Sequence, residues 1–260
     1  MNNTAIRILV SFFAIPLMLF LSYKGGYYFS VFTVIIAALC LYEFYSLFGH
    51  KGFYVLKIPG LIYSSALIIS WVYFREYFAY LLCSSVLFFL IEALRKERRN
   101  IYNPSIAIAG LVYISLPFAL LTGLDRDYRI VFLLFMLVWV LDSSAYFGGK
   151  FFGKHRLSSI SPKKTIEGAV FGFVFTVISA VIFYFSTDNL ITLGESVIIG
   201  VLAGIFGQAG DLFESYLKRA TGVKDSSGII PGHGGMLDRF DSLIFITPVI
   251  YVYLIIIRNL

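Results

Sequence analysis

Ile166–Phe185, IEGAVFGFVFTVISAVIFYF, runs for twenty residues with a single charge, Glu167, near its start. A helix of that length rises about 30 Å, the thickness of a bilayer's hydrocarbon core. Comparable windows recur on both sides of it, at Ile6–Ser22, Tyr27–Phe48, Ile58–Phe74, Tyr77–Ile91, Ser105–Thr122, Ile130–Phe147, Gly194–Phe213 and Ser242–Ile257. The sequence therefore predicts an all-α, polytopic integral membrane protein with about nine transmembrane helices. Composition agrees: the chain is 59% hydrophobic and 14% charged, more apolar than a soluble domain of its length needs to be. The first window reads as a retained helix, because Ser22-Tyr23-Lys24 makes a poor small-residue cleavage site. Cys40 and Cys83 fall inside expected spans and read as small packing residues.

Basic residues are unevenly placed. With nine spans, the N-terminus and the even-numbered loops share one side. Sixteen of the 21 Lys and Arg residues lie there, including Arg95, Lys96, Arg98, Arg99, Lys150, Lys163, Lys164, Lys218 and Lys224. That excess predicts a cytoplasmic N-terminus and a multi-pass protein of the inner cell membrane. Topology alone accounts for the Arg95–Arg99 cluster. It does not require the mixtures of Lys, Gly and Asp in Gly148–Thr165 and Ser215–Asp241. The chain divides on this reading into a scaffold of N-terminal helices (1–125) and a catalytic C-terminal region (126–260).

Ser215–Asp241 reads SYLKRATGVKDSSGIIPGHGGMLDRFD. Charge beside a bilayer is expensive and rarely idle. Just ahead of it, Asp211, Glu214, Ser215 and Lys218 recur at helical spacing and share one face. Such a stripe should face a cavity or another helix; a structural ion-pair stripe is the plainer alternative. Pro231–Gly235 is rich in glycine, suiting a turn whose amides receive an anion, or an ordinary loop. Asp238 and Asp241 open the last span and could simply favour a helix N-terminus. Taken with Asp211, they offer the hard oxygen ligands that magnesium prefers when it also holds phosphates.

The loop after the sixth span, Leu141–Thr165, carries Gly148, Gly153, Lys154 and His155. It nearly matches a phosphate-binding P-loop, but His155 stands where Ser or Thr is required and a membrane helix precedes it. The P-loop fold is therefore excluded, although glycines among Lys150, Lys154, Arg156, Lys163 and Lys164 still suit a polyphosphate. Asp142, inside the sixth span, needs a partner or a wet cavity. His155 and His233 are two isolated histidines and do not make a zinc site.

No Ser/His/Asp or Cys/His nucleophile pattern is visible. That fits phosphoryl or nucleotidyl transfer, in which the substrate brings the attacking oxygen. A phosphate monoester, with a second pKa of about 6, is largely ionised at neutral pH. What the reaction needs is cationic charge to let two anions meet.

Ser215-x-x-Lys218-Arg219, Lys224-Asp225, Pro231-x-His233-Gly-Gly235 and Asp238-Arg239-x-Asp241 closely resemble the signature of the phosphatidate cytidylyltransferases, the CDP-diacylglycerol synthases. Asp142-Ser143, Tyr146–Lys150, Ser161–Gly168 and Gly210-Asp211 with Glu214-Ser215 are similar to that family too. One departure stands out: in Ser226-Ser227-Gly228 the glycine comes a residue later than the resemblance leads one to expect.

The resemblance implies a bacterial-type, magnesium-dependent enzyme that makes CDP-diacylglycerol and pyrophosphate from CTP and phosphatidic acid. It also implies an active site on the cytoplasmic side, open sideways to lipid, and a homodimer. By the same resemblance Asp211, Asp238 and Asp241 hold magnesium, with room for a second cation. Lys218, Arg219, Lys224, His233 and Arg239 line the nucleotide and phosphate site, and Asp225 belongs to the catalytic set. Lys163 and Lys164 contact CTP. No nucleic-acid partner is expected. Two rivals differ in what they require. A CTP-dependent lipid kinase of the polyprenol type would need a base for its hydroxyl nucleophile, for which Asp225 or His233 could serve. A transporter would show matched broken helices in two halves, and the polar elements here cluster in the second half.

Overall fold

The computed structural model of the protein describes residues 3–95, 101–187, 190–230, 232 and 234–258. Most described residues are helical, in the order α1 (Asn3–Lys24), α2 (Gly26–Gly49), α3 (Lys57–Tyr73), α4 (Arg75–Ala93), α5 (Tyr102–Gly110), α6 (Leu116–Gly123), α7 (Tyr128–Phe152), α8 (Ile166–Ser186), α9 (Leu193–Thr221) and α10 (Leu237–Arg258). α5 and α6 continue one another through a π turn at Leu111–Ser115, so every expected window is a helix. Seven of these rods are long and apolar enough to cross a membrane among the described residues. The protein is thus all-α and polytopic. α3 has 17 residues, and the described apolar part of α1, Val10–Lys24, is also short.

The π turn has a local cause. Pro117 lacks an amide and would clash with the carbonyl four residues back in a regular helix. The preceding backbone widens instead, and the Leu116 amide reaches the Leu111 carbonyl.

Two compact units emerge. The first comprises Met1–Arg126 with Leu217–Phe240. Tyr45, on α2, is 1% exposed, and its hydroxyl donates to the Ala107 carbonyl at 2.9 Å. Gly60 and Gly110 admit that ring: a Cβ at either would stand 2.5 or 2.6 Å from it. At the head of α2, Gly25 and Gly26 take φ of 60° and 53°, a region that L side chains avoid. Their turn places the Gly26 amide 2.6 Å from Asp125 Oδ2. Burial lifts the Asp125 carboxyl to about 6, against the lowering effect of that bond.

The second unit comprises Asp127–Tyr216 with Asp241–Leu260. Small residues let its backbones approach closely, as helix pairs in lipid require. A Cβ on Gly168 of α8 would stand 2.6 Å from the Ala145 carbonyl oxygen of α7. On α9, one at Gly200 would meet the Val177 backbone at 2.8 Å, and one at Gly210 the Asp241 carbonyl oxygen of α10 at 2.6 Å.

α9 outruns its expected end at Phe213 by eight residues, closing at Thr221. It stops where Gly222 turns to φ 83°, with Val223 donating to Lys218 and Gly222 to Arg219 through their amides. That is a glycine-capped C-terminus. The charged start of the Ser215–Asp241 segment is therefore helical, with Lys218 and Arg219 in its last turns.

Candidate active site

In the second unit, the loop between α7 and α8 is held by side chains at the start of α8. Thr165 caps α8, accepting from the Gly168 amide at 3.1 Å. Glu167 accepts from the Lys154 amide at 3.0 Å and the His155 amide at 3.2 Å, and lies 2.6 Å from His155 Nδ1. Arg156 pairs with Thr165 across the turn. His155 is thereby anchored to a neighbouring carboxylate, while Lys163 is exposed.

The neighbouring lysine points elsewhere. Lys164 Nζ meets Asp211 Oδ1 on α9 at 2.7 Å, with both side chains partly exposed. Asp211 belongs to an acidic group. The Asp241 carboxylate is buried, and Asp211 and Asp142 are both close enough to repel it, Lys164 being the cation that counters them. The Ser242 amide donates to Asp241 Oδ1 at 2.6 Å. Like charges gathered around a buried carboxylate are unfavourable without a cation to share. In donor type the group suits magnesium. Among the described residues no three acidic, His or Cys groups are drawn together into a ready coordination set.

In the first unit, Lys218 Nζ meets Asp238 Oδ1 at 2.6 Å, both well shielded from solvent. The other oxygen, Oδ2, accepts from the Gly235 amide at 2.8 Å and from the Ser226 amide and hydroxyl, each at 3.1 Å. Asp238 thus spends its oxygens on a lysine and a glycine-rich turn. The turn needs those glycines. Gly234 sits at φ 82°, where a Cβ would also stand 2.6 Å from Asp238 Oδ2. A Cβ on Gly235 would collide with the Ser226 hydroxyl.

Lys224, Asp225, Arg219 and Arg239 are exposed, and Arg219 also donates to the Val223 carbonyl at 3.2 Å. Pro231 and His233 lie outside the described residues. One residue of the first unit was not anticipated by the sequence reading. Glu43, on α2 and 0% exposed, accepts from the Ser226 and Ser227 hydroxyls and from the Met236 and Leu237 amides. The signal was available: a carboxylate within a membrane span is expensive.

The second unit offers a buried acidic group whose donors suit a cation, and the first, taken by itself, offers a glycine turn with a lysine. Comparison with known proteins agrees with that chemistry. Residues 5–257 match the model of a family described as the cytidylyltransferase family. A phosphatidate cytidylyltransferase of Staphylococcus saprophyticus is 34% identical over 261 residues, covering 96% of this chain and 98% of its own length. The enzymes so named from Staphylococcus haemolyticus and Staphylococcus aureus are 32% and 34% identical, with the same coverage of 96% and 98%.

Proposed function

The chain belongs to the cytidylyltransferase family, and on that premise we propose that it transfers CMP from CTP to phosphatidic acid, giving CDP-diacylglycerol and pyrophosphate. An ionised phosphate oxygen of phosphatidate attacks the α-phosphorus of CTP. A new P–O–P bridge forms, and the bond from the α-phosphorus to its β-bridging oxygen breaks. The bonding pair leaves with pyrophosphate. No side-chain nucleophile is required, and none of the residues described above is arranged as one.

The observation that carries this reading is the buried Asp241 carboxylate, crowded by Asp211 and Asp142. Of the three ligands the resemblance implies, Asp211 and Asp241 would hold magnesium, which when bound supplies positive charge for phosphate oxygens, while Asp238 is committed to Lys218 and the glycine turn. The protein's own cations do the rest. Lys218, oriented by Asp238, offers an ammonium to phosphate. Arg219, Lys224 and Arg239, exposed to solvent, neutralise the incoming anions, and Lys163 offers a further contact to CTP. Lys164 is held by Asp211 until a phosphate competes for it. The basic excess on one side supports a cytoplasmic active site, and a homodimer follows from the family resemblance alone.

Purified protein, phosphatidate vesicles, CTP and magnesium test this. Equal molar amounts of CDP-diacylglycerol and pyrophosphate by mass spectrometry and phosphate assay are expected. Absence of the nucleotide-linked lipid contradicts the reading.

A further inference from the structure

We propose that Glu43 is a positioning residue for the transfer site, reaching from helix α2 to fix the turn that holds Asp238 and, through it, Lys218. The inference rests on the functional reading above.

Glu43 is 0% exposed in a 24-residue helix apolar enough to span a membrane. A carboxylate there is costly unless its lone pairs are filled. They are filled, two donors to each oxygen. Oε1 accepts from the Ser227 hydroxyl at 2.5 Å and the Met236 amide at 2.9 Å. Oε2 accepts from the Ser226 hydroxyl at 2.9 Å and the Leu237 amide at 2.8 Å. Met236 and Leu237 are at the start of α10, where helix amides lack intrahelical partners and the dipole favours an anion. All four donors come from one twelve-residue stretch, Ser226–Leu237. Glu43 therefore ties both ends of the turn to a helix remote in sequence.

The tie continues to the lysine. Ser226 Oγ lies 2.9 Å from Glu43 Oε2 and 3.1 Å from Asp238 Oδ2. A hydroxyl has one proton to donate, so the two carboxylates share it. Asp238 holds Lys218 Nζ through its other oxygen at 2.6 Å. A lysine ammonium is a point charge on a flexible stem, and this chain of bonds decides where it stands. Ser227 occupies the position where the family resemblance leads one to expect glycine. Its hydroxyl is the shortest of the four bonds to Glu43, which gives the departure a structural use.

The test compares Glu43→Gln, Ser226→Ala and Ser227→Gly with the unmodified protein, all purified in detergent and normalised to folded molecules. Gln keeps the size but turns a donor toward two donors. Outer-shell partners of functional groups typically account for about 10–100-fold, so Glu43→Gln should lower kcat by about that factor with KM for CTP changed less than about threefold. A purely structural role would lower the yield of folded protein and leave kcat per folded molecule alone. A kcat within about threefold of the unmodified protein overturns the proposal. Should Glu43→Gln fail to fold, Ser226→Ala decides by the same criterion, since it leaves the amide bonds to Glu43 in place. Ser227→Gly should show the smaller loss. Hydrogen exchange provides a readout without activity: the Met236 and Leu237 amides should exchange faster in Glu43→Gln, or, if that variant does not fold, in the double variant Ser226→Ala with Ser227→Gly, which removes both hydroxyls that hold Glu43. Unchanged exchange contradicts the tie even if the protein proves not to make CDP-diacylglycerol. Faster exchange with an inactive unmodified protein would instead indict the functional reading.

Discussion

Lys218 and Asp238 form a shielded ion pair at 2.6 Å, with side chains 13% and 6% exposed. The pair joins the last turns of α9 to the first turn of α10, so the lysine stands against a fixed carboxylate. Breaking a buried pair from one side leaves an uncompensated charge and is worth about 3–5 kcal/mol.

Asp238→Ala should therefore be among the more damaging single changes. It strands Lys218 together with the Ser226 and Gly235 amides that Asp238 accepts from. Lys218→Met leaves Asp238 with those donors and should destabilise less. Both should abolish CMP transfer. Thermal unfolding in detergent checks the order; equal losses of stability would contradict it.

Asp241→Asn separates stability from activity. The native carboxylate is buried and repelled by Asp211 and Asp142. Removing its charge should raise the unfolding temperature in EDTA while abolishing transfer, as expected where a site stores unfavourable electrostatics for function. A drop in the metal-free unfolding temperature would count against the repulsion. Asp211→Asn should also abolish transfer and, by releasing Lys164, give a smaller rise.

Gly235→Ala should be inactive. Its methyl group meets the Ser226 hydroxyl and lies 2.5 Å from Glu43 Oε2, so the turn must shift. Gly228, with nothing within 4 Å of an added Cβ, is the control: Gly228→Ala should retain activity. Comparable rates for the two variants would remove the turn from the mechanism.

Asp125 gives a pH dependence of stability. Its carboxyl titrates at about 6 in the folded protein against an ordinary 3.8. Between those values the folded state holds the extra proton, so stability falls as pH rises. This contribution is fully present below 3.8 and lost as pH rises through about 6. Asp125→Asn keeps an oxygen for the Gly26 amide and should remove that step from a plot of unfolding temperature against pH. A plot identical to that of the unmodified protein would refute the assignment.

The fold was legible in the sequence because lipid leaves a long apolar run few alternatives to a helix. Ile166–Phe185 became Ile166–Ser186 almost unaltered. α9 was less legible at its C-terminal end. Asp211 and Glu214 interrupt the hydropathy, yet helix continues until Gly222 supplies a left-handed stop. Residues of the signature could be named from the family resemblance, but their partners could not. Nothing in the order of residues tells that Lys164 meets Asp211 while Asp238 takes Lys218. Glu43 stayed hidden because it is a lone acid among apolar neighbours, 183 positions before Ser226. The rule that drew attention to Asp142 applied to it equally.

The central claim is that the chain moves the α-phosphorus of CTP, with its nucleoside, onto phosphatidic acid. Parallel incubations with CTP labelled at the α- or the γ-phosphorus test it most directly. The account predicts α-label in the lipid fraction and γ-label in pyrophosphate, both only when magnesium is present. Label from the γ-position in the lipid, with none from the α-position, would contradict it and make the protein a CTP-dependent lipid kinase.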